Sequence, residues 1–226
     1  MPDDSPSLPA RLYLLAWDTT RRRLVCDSRL DHLVRAGALV ELAGRGLLVD
    51  VAGVVTPSDL DARSGDPVLD GLLELVMESL PRSWASWVTR YARFTLDDVR
   101  AQLAAAGFLR AESRRVLGLF RSPEYELERT QAVETLQRQA RQALTGPVSV
   151  TQVSERDVAL LALAAEAGLR TVVSPADGAR YRERIEALAE RGSGAAPALE
   201  GVLQGVRGAV SGPGAAAPPT GARGCG

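Results

Sequence analysis

Residues 12–49 read LYLLAWDTTRRRLVCDSRLDHLVRAGALVELAGRGLLV. A short apolar segment leads into an arginine-rich turn at Arg21, Arg22 and Arg23. A long hydrophobic helix follows, then a glycine stop and a new strand. In the helix, Leu30, Leu33, Val34, Ala36, Leu39, Val40 and Leu42 cover most of the circumference. A helix that is apolar nearly all round is a buried one, so Leu30 to Ala43 is predicted to be central. Gly44-Arg45-Gly46 ends it, because glycine accepts the left-handed capping conformation. Leu47-Leu48-Val49 restarts as a strand.

The rest of the chain has room for one domain around such a helix. It has 226 residues with 46% hydrophobic content, and only 4% are aromatic, so the core must be Leu, Val and Ala. All 27 basic residues are arginine, and Ile185 is the one isoleucine. A GC-rich genome, expected to be bacterial, accounts for this. It also means that every basic contact uses a guanidinium, which grips phosphate as a bidentate fork. The net charge of −1 restricts any anion-binding surface to a local patch. Cys26 and Cys225 are too few for a disulfide framework, and a reduced cytoplasm is expected. No stretch is long enough to span a bilayer, so any membrane contact is expected to be peripheral, on the inner face.

The spacing suggests a repeated unit. Gly46, Gly107 and Gly168 each end an apolar helix before a hydrophobic restart, and they stand 61 residues apart each time. Helix–Gly–strand is the local pattern of a winged-helix module. Thr95 and Ser154 each stand three residues before an acid and are predicted to cap the second and third helices. Phe108 to Phe120 is predicted to be a hairpin turning near Glu112 to Arg114, followed by a polar helix over Glu124 to Leu144. Val68 to Leu80 reads as another apolar helix, with Trp84 and Trp87 on one short helix after it. Tyr181 to Arg191 reads as an amphipathic helix, and Ala198 to Val210 as a weak one diluted by Gly201, Gly205 and Gly208. Residues 1–8 are predicted to be a disordered leader, 9–210 the domain, and 211–226 a disordered Gly/Ala/Pro tail.

The motifs of catalysis are missing. His32 is the single histidine and lies in the central helix. There is no paired-cysteine zinc signature, no G-x-G-x-x-G and no G-x-S-x-G elbow; without lysine a phosphate loop is impossible. A non-enzyme with no metal and no cofactor is expected.

The string ALVELAGRGLL over 38–48, with the order of elements around it, resembles the Golgi phosphoprotein family. The resemblance runs over roughly residues 8–210 and is strongest over 33–49. It implies a mainly α single-domain helical bundle, with a buried central helix and short β-hairpins. It also implies a cytosolic protein, peripheral on membranes, whose eukaryotic relatives bind phosphatidylinositol 4-phosphate. The family's headgroup arginines fall on Arg35 and on Arg93, with Arg90 a second candidate for the latter position. A third family arginine falls at Leu96, and the family's tryptophan falls on or near Cys26. One family hairpin mediates oligomer contacts, which here implies Arg114, Arg115, Val116 and Leu117.

Each candidate also has a plainer reading. Arg35 lies four residues after Asp31 and could form an intrahelical ion pair. Arg21, Arg22 and Arg23 with Leu24 and Val25 make either a solvated turn or a membrane-touching loop. Trp84 and Trp87 suit core packing or an interfacial anchor. The leading expectation is an adaptor whose arginine patch binds anionic phospholipid or a phosphoinositide, with homo-oligomerisation and a protein client. A winged-helix DNA-binding regulator and a protein-only scaffold are the alternatives. Nucleic acid is disfavoured by the absence of a basic excess.

Overall fold

In the computed structural model, residues 6–25, 29–116, 120–195 and 197–211 are described. Among the described residues helix dominates, and strands occur as three two-stranded antiparallel sheets. The leader reading fails for its described end: α1 (Leu8–Leu15) starts early, and Ser7 and Leu8 are buried. Pro9 sits in its first turn, where the missing amide costs nothing. The Leu8 amide donates to Glu41 Oε2 at 2.5 Å, fixing the helix start against its neighbour. Residues 1–5 and 212–226, where leader and tail were expected, lie outside the described residues.

The predicted central helix is present. α2 (Leu30–Gly44) buries Leu30, Leu33, Val34, Ala36, Leu39 and Leu42, each fully. Before it, β1 (Trp17–Asp18) pairs with β2 (Arg23–Leu24). After it, Gly46 takes φ 70° and the hairpin β3 (Leu48–Val51), β4 (Val54–Pro57) follows.

α3 (Pro67–Met77) is capped by Asp66, whose carboxylate accepts from the Val68 and Leu69 amides. α4 (Trp84–Thr89) buries Trp84 and Trp87, so packing and not anchoring is their use. α5 (Ala92–Ala105) corrects one cap. Thr95 is buried inside the helix, which instead begins after Tyr91 in the left-handed conformation, φ 55°.

The hairpin is longer than expected and turns later. β5 (Leu109–Val116) pairs with β6 (Phe120–Leu127) from Leu109↔Leu127 to Val116↔Phe120. Residues predicted to begin a helix at Glu124 are therefore strand, and α6 starts only at Thr130 (Thr130–Thr145). Pro123, which suits a helix start on the sequence alone, sits instead within β6 opposite Ser113. A two-stranded ribbon is all edge, and a proline is tolerated there.

α7 (Glu155–Glu166) has the predicted Ser154 cap, with Oγ accepting from the Asp157 amide at 3.1 Å. No strand follows Gly168, so the third helix–Gly–strand unit does not form. The chain turns through Val172 and Val173 into α8 (Pro175–Arg180) and α9 (Arg182–Ala195). The last helix, α10 (Pro197–Ser211), is not weak. A Cβ on Gly201 would lie 2.8 Å from Trp84 Cβ, and one on Gly205 2.8 Å from Ala85 Cα. These glycines let α10 lie directly on α4, and α2 is enclosed by α1, α3, α4, α5, α7 and α10.

Candidate functional site

Arg35 is the most unusual side chain of the core. It is 0% exposed on a helix that is otherwise apolar on that side. It does not turn back to Asp31, as the ion-pair reading expected. Its Nη2 donates to the Tyr91 carbonyl at 2.6 Å, across to the junction of α4 and α5. Its Nε and Nη1 have no hydrogen-bond partner. Two buried donors left unmatched cost roughly 1–3 kcal/mol each. Burial lowers the Arg35 pKa to about 10, partly offset by the Asp98 carboxylate. The guanidinium therefore stays charged at neutral pH. Asp98 in turn is raised, first by its own burial, then by Asp97, with Arg35 opposing.

Arg35 holds a strained turn. Tyr91 is a non-glycine residue at φ 55°, ψ 24°, a conformation costing of order 1–3 kcal/mol unless its surroundings fix it. The bond from Arg35 supplies that fixing. It also carries Arg90, Tyr91, Arg93 and Phe94 to the surface together. Tyr91 is 46% exposed and Phe94 62% exposed, their rings stacked with centroids 5.8 Å apart. The Arg90 guanidinium lies 4.8 Å over the Tyr91 ring. Arg93 is exposed and paired to Asp97 at 3.3 Å, a carboxylate shared with Arg100 at 3.3 Å.

A cavity of about 350 Å³ opens beside Arg35, walled by Leu72, Leu75, Phe94, Asp97 and Asp98. Four guanidinia (Arg35, Arg90, Arg93, Arg100) stand against two carboxylates (Asp97, Asp98), leaving two net positive charges. The Arg35 donors are themselves sealed from solvent, so Arg35 acts on the cavity through its charge and through the turn it holds. The site's exposed aromatic pair suits a boundary between water and an apolar phase.

The sequence reading named Arg35, Arg90 and Arg93, which the fold brings to one turn. It missed Tyr91 and Phe94. Placing the helix start at Thr95 hid the turn, and the signal available was two aromatics three residues apart between two arginines.

The loop Arg21–Val25 is not gathered into this turn. Arg21 and Arg23 line a separate groove, Arg22 donates to the Leu127 carbonyl at 3.2 Å, and Leu24 is half-buried. Val25 is 40% exposed. Of the predicted oligomer hairpin, Arg114, Arg115 and Val116 lie in β5 opposite Ser122, Arg121 and Phe120. Leu117 falls outside the described residues, as does Cys26 at the family's tryptophan position. Among the described residues, no helix is long and apolar enough to cross a membrane.

No curated protein shows significant similarity to the chain. A family model does match, that of Golgi phosphoprotein 3 (GPP34), over residues 8–206. That span runs from the first turn of α1 into α10 and includes the Arg35 turn, so the chain belongs to the Golgi phosphoprotein 3 (GPP34) family.

Proposed function

We propose that this protein is a non-enzymatic peripheral adaptor that docks on anionic membrane headgroups through the Arg35 turn. The observation that carries the reading is the buried Arg35 guanidinium, charged and with two unmatched donors, beside a small open cavity. The buried Arg35 charge adds to the attraction for a headgroup phosphate at the cavity mouth, and its bond to the Tyr91 carbonyl holds the turn that presents Arg90 and Arg93. Arg90 and Arg93 meet neighbouring headgroups, and Tyr91 and Phe94 enter the interfacial layer. Family membership supports a lipid-associated role, and a phosphoinositide is one headgroup that fits the cavity. Asp97 and Asp98 limit the attraction, so the contact is weak, reversible and short-ranged. Headgroup attraction amounts to about 1 kcal/mol per arginine at the surface. Self-association through the β5–β6 hairpin would raise the net hold by avidity.

Co-sedimentation with vesicles tests this. The parent should bind phosphatidylglycerol or phosphoinositide vesicles and ignore neutral ones. The Arg90→Ala/Arg93→Ala pair should weaken binding roughly tenfold, about 1.4 kcal/mol, with circular dichroism unchanged. Equal binding to neutral vesicles, or an undiminished variant, would sink the reading.

A further inference from the structure

A second basic surface shares no residue with the Arg35 cavity. A groove of about 1250 Å³ runs between the β1–β2 hairpin, α6 and the segment after α7. Arg21, Arg23 and Arg29 line one side, and Arg138, Arg141 and Arg170 the other. Among the described residues, the carboxylates on its walls are Asp18 and Glu134. Asp18 is engaged in its own turn, accepting from the Thr20 and Arg21 amides at 3.1 and 2.9 Å. Among the described residues, no carboxylate lies within 4.0 Å of Arg23, Arg29, Arg138 or Arg170. Unpaired like charges gathered on a nearly neutral protein repel one another until a counter-anion enters. Part of the wall is already set. Arg141 donates from Nε and Nη2 to the Thr171 carbonyl at 3.0 and 2.6 Å, so its fork is oriented before anything binds. Trp17, also on the wall and 3% exposed, keeps its indole N–H without a partner.

We infer that this groove binds a compact polyphosphate, several phosphate groups carried by one ligand, either free in solution or as a lipid headgroup. The volume exceeds the usual small-ligand range of about 300–1,000 Å³, so a single phosphate leaves most of the arginines unused. Guanidinium forks on facing walls match phosphates spread across the gap. An acidic peptide fits less well, because peptide interfaces are anchored by apolar side chains in pockets, and these walls are mainly polar. Single-stranded nucleic acid needs aromatic platforms for its bases, and the one aromatic here, Trp17, is buried.

Titration calorimetry on the full chain tests the inference, with inorganic tripolyphosphate and orthophosphate as probes. Salt is set at about 0.15 M, where the screening length is about 8 Å. Tripolyphosphate should bind at least about tenfold more tightly than orthophosphate. Replacing the exposed Arg23, Arg138 and Arg170 together with alanine should weaken it about tenfold or more, with circular dichroism unchanged. A variant with the same charge change away from both arginine sites, Arg63→Ala/Arg182→Ala/Arg207→Ala, should stay within about twofold of the parent. Vesicles bearing a phosphatidylinositol bisphosphate, whose headgroup carries several phosphates on one molecule, identify a headgroup as the source if they displace tripolyphosphate, and a soluble ligand if they do not.

The inference is overturned if tripolyphosphate fails to bind or is not preferred over orthophosphate. It is also overturned if the groove variant binds like the parent, if the control variant falls equally, or if a polyglutamate peptide or DNA binds more tightly. It does not rest on the Arg35 reading. The vesicle assay of Arg90 and Arg93 can fail while this one succeeds.

Discussion

Arg35 and Asp98 form an imbalanced pair, and the imbalance is measurable. The folded protein holds Asp98 above its ordinary carboxyl value of 3.8, mainly through burial. The folded state therefore binds that proton more tightly than the unfolded chain does. The stability this contributes is fully present below 3.8 and is lost as pH rises through the raised value. At neutral pH the ionised carboxylate is a burden. Asp98→Asn should melt higher than the parent at pH 7, and the gap should close as pH falls toward 3.8. The same change should strengthen anionic-vesicle binding severalfold by removing an exposed carboxylate at the cavity mouth. A flat difference across pH would contradict the assignment. Arg35→Met combined with Asp98→Asn removes the buried charge together with the exposed carboxylate that faces it. The buried charge and its unmatched donors go, but so does the bond that fixes Tyr91 at φ 55°, so the double variant should keep its helical circular dichroism while losing vesicle binding. That Arg35 matters could be read from the sequence by resemblance. Its inward turn to Tyr91 could not, because the partner is a backbone carbonyl 56 residues away.

Among the elements, α10 inverts its sequence reading. Gly201, Gly205 and Gly208 lower helix propensity, by roughly 1 kcal/mol each against alanine. Propensity says nothing of the neighbour. Gly201 and Gly205 face α4 at distances where a Cβ would clash, whereas Gly208 has open space within 4 Å. Gly205→Ala should therefore destabilise by about 1–3 kcal/mol through overpacking. Gly208→Ala should stabilise by roughly 0.5–1 kcal/mol. Chemical denaturation of the two variants checks both signs. The central helix was legible because its apolar residues surround it, and the Ser154 cap because its signal is local. The β6–α6 boundary was not legible. FRSPEYEL contains a proline that disqualifies a central strand but not a free ribbon, and that distinction depends on the absence of a third strand. The third helix–Gly–strand unit failed for a related reason. Gly168 adopts the left-handed stop at φ 65°, yet Leu169, Val172 and Val173 are buried between helices with no strand partner.

For the whole molecule, a net charge of −1 conceals two arginine surfaces. The sequence could list their residues but could not sort them. Arg21 and Arg23, a solvated turn or a membrane-touching loop on the sequence alone, face Arg138 and Arg170 across a groove. Arg138 and Arg170 are 32 residues apart in the chain, so no local pattern joins them. The central claim is that the Arg35 turn is the part of this family member that meets an anionic membrane. Hydrogen exchange of the full chain, with anionic and with neutral vesicles, tests it most directly. Amides of residues 90–98 should exchange more slowly with anionic vesicles only, and Arg93→Ala should reduce that protection. Protection confined to other segments, or equal protection by neutral vesicles, would contradict the account.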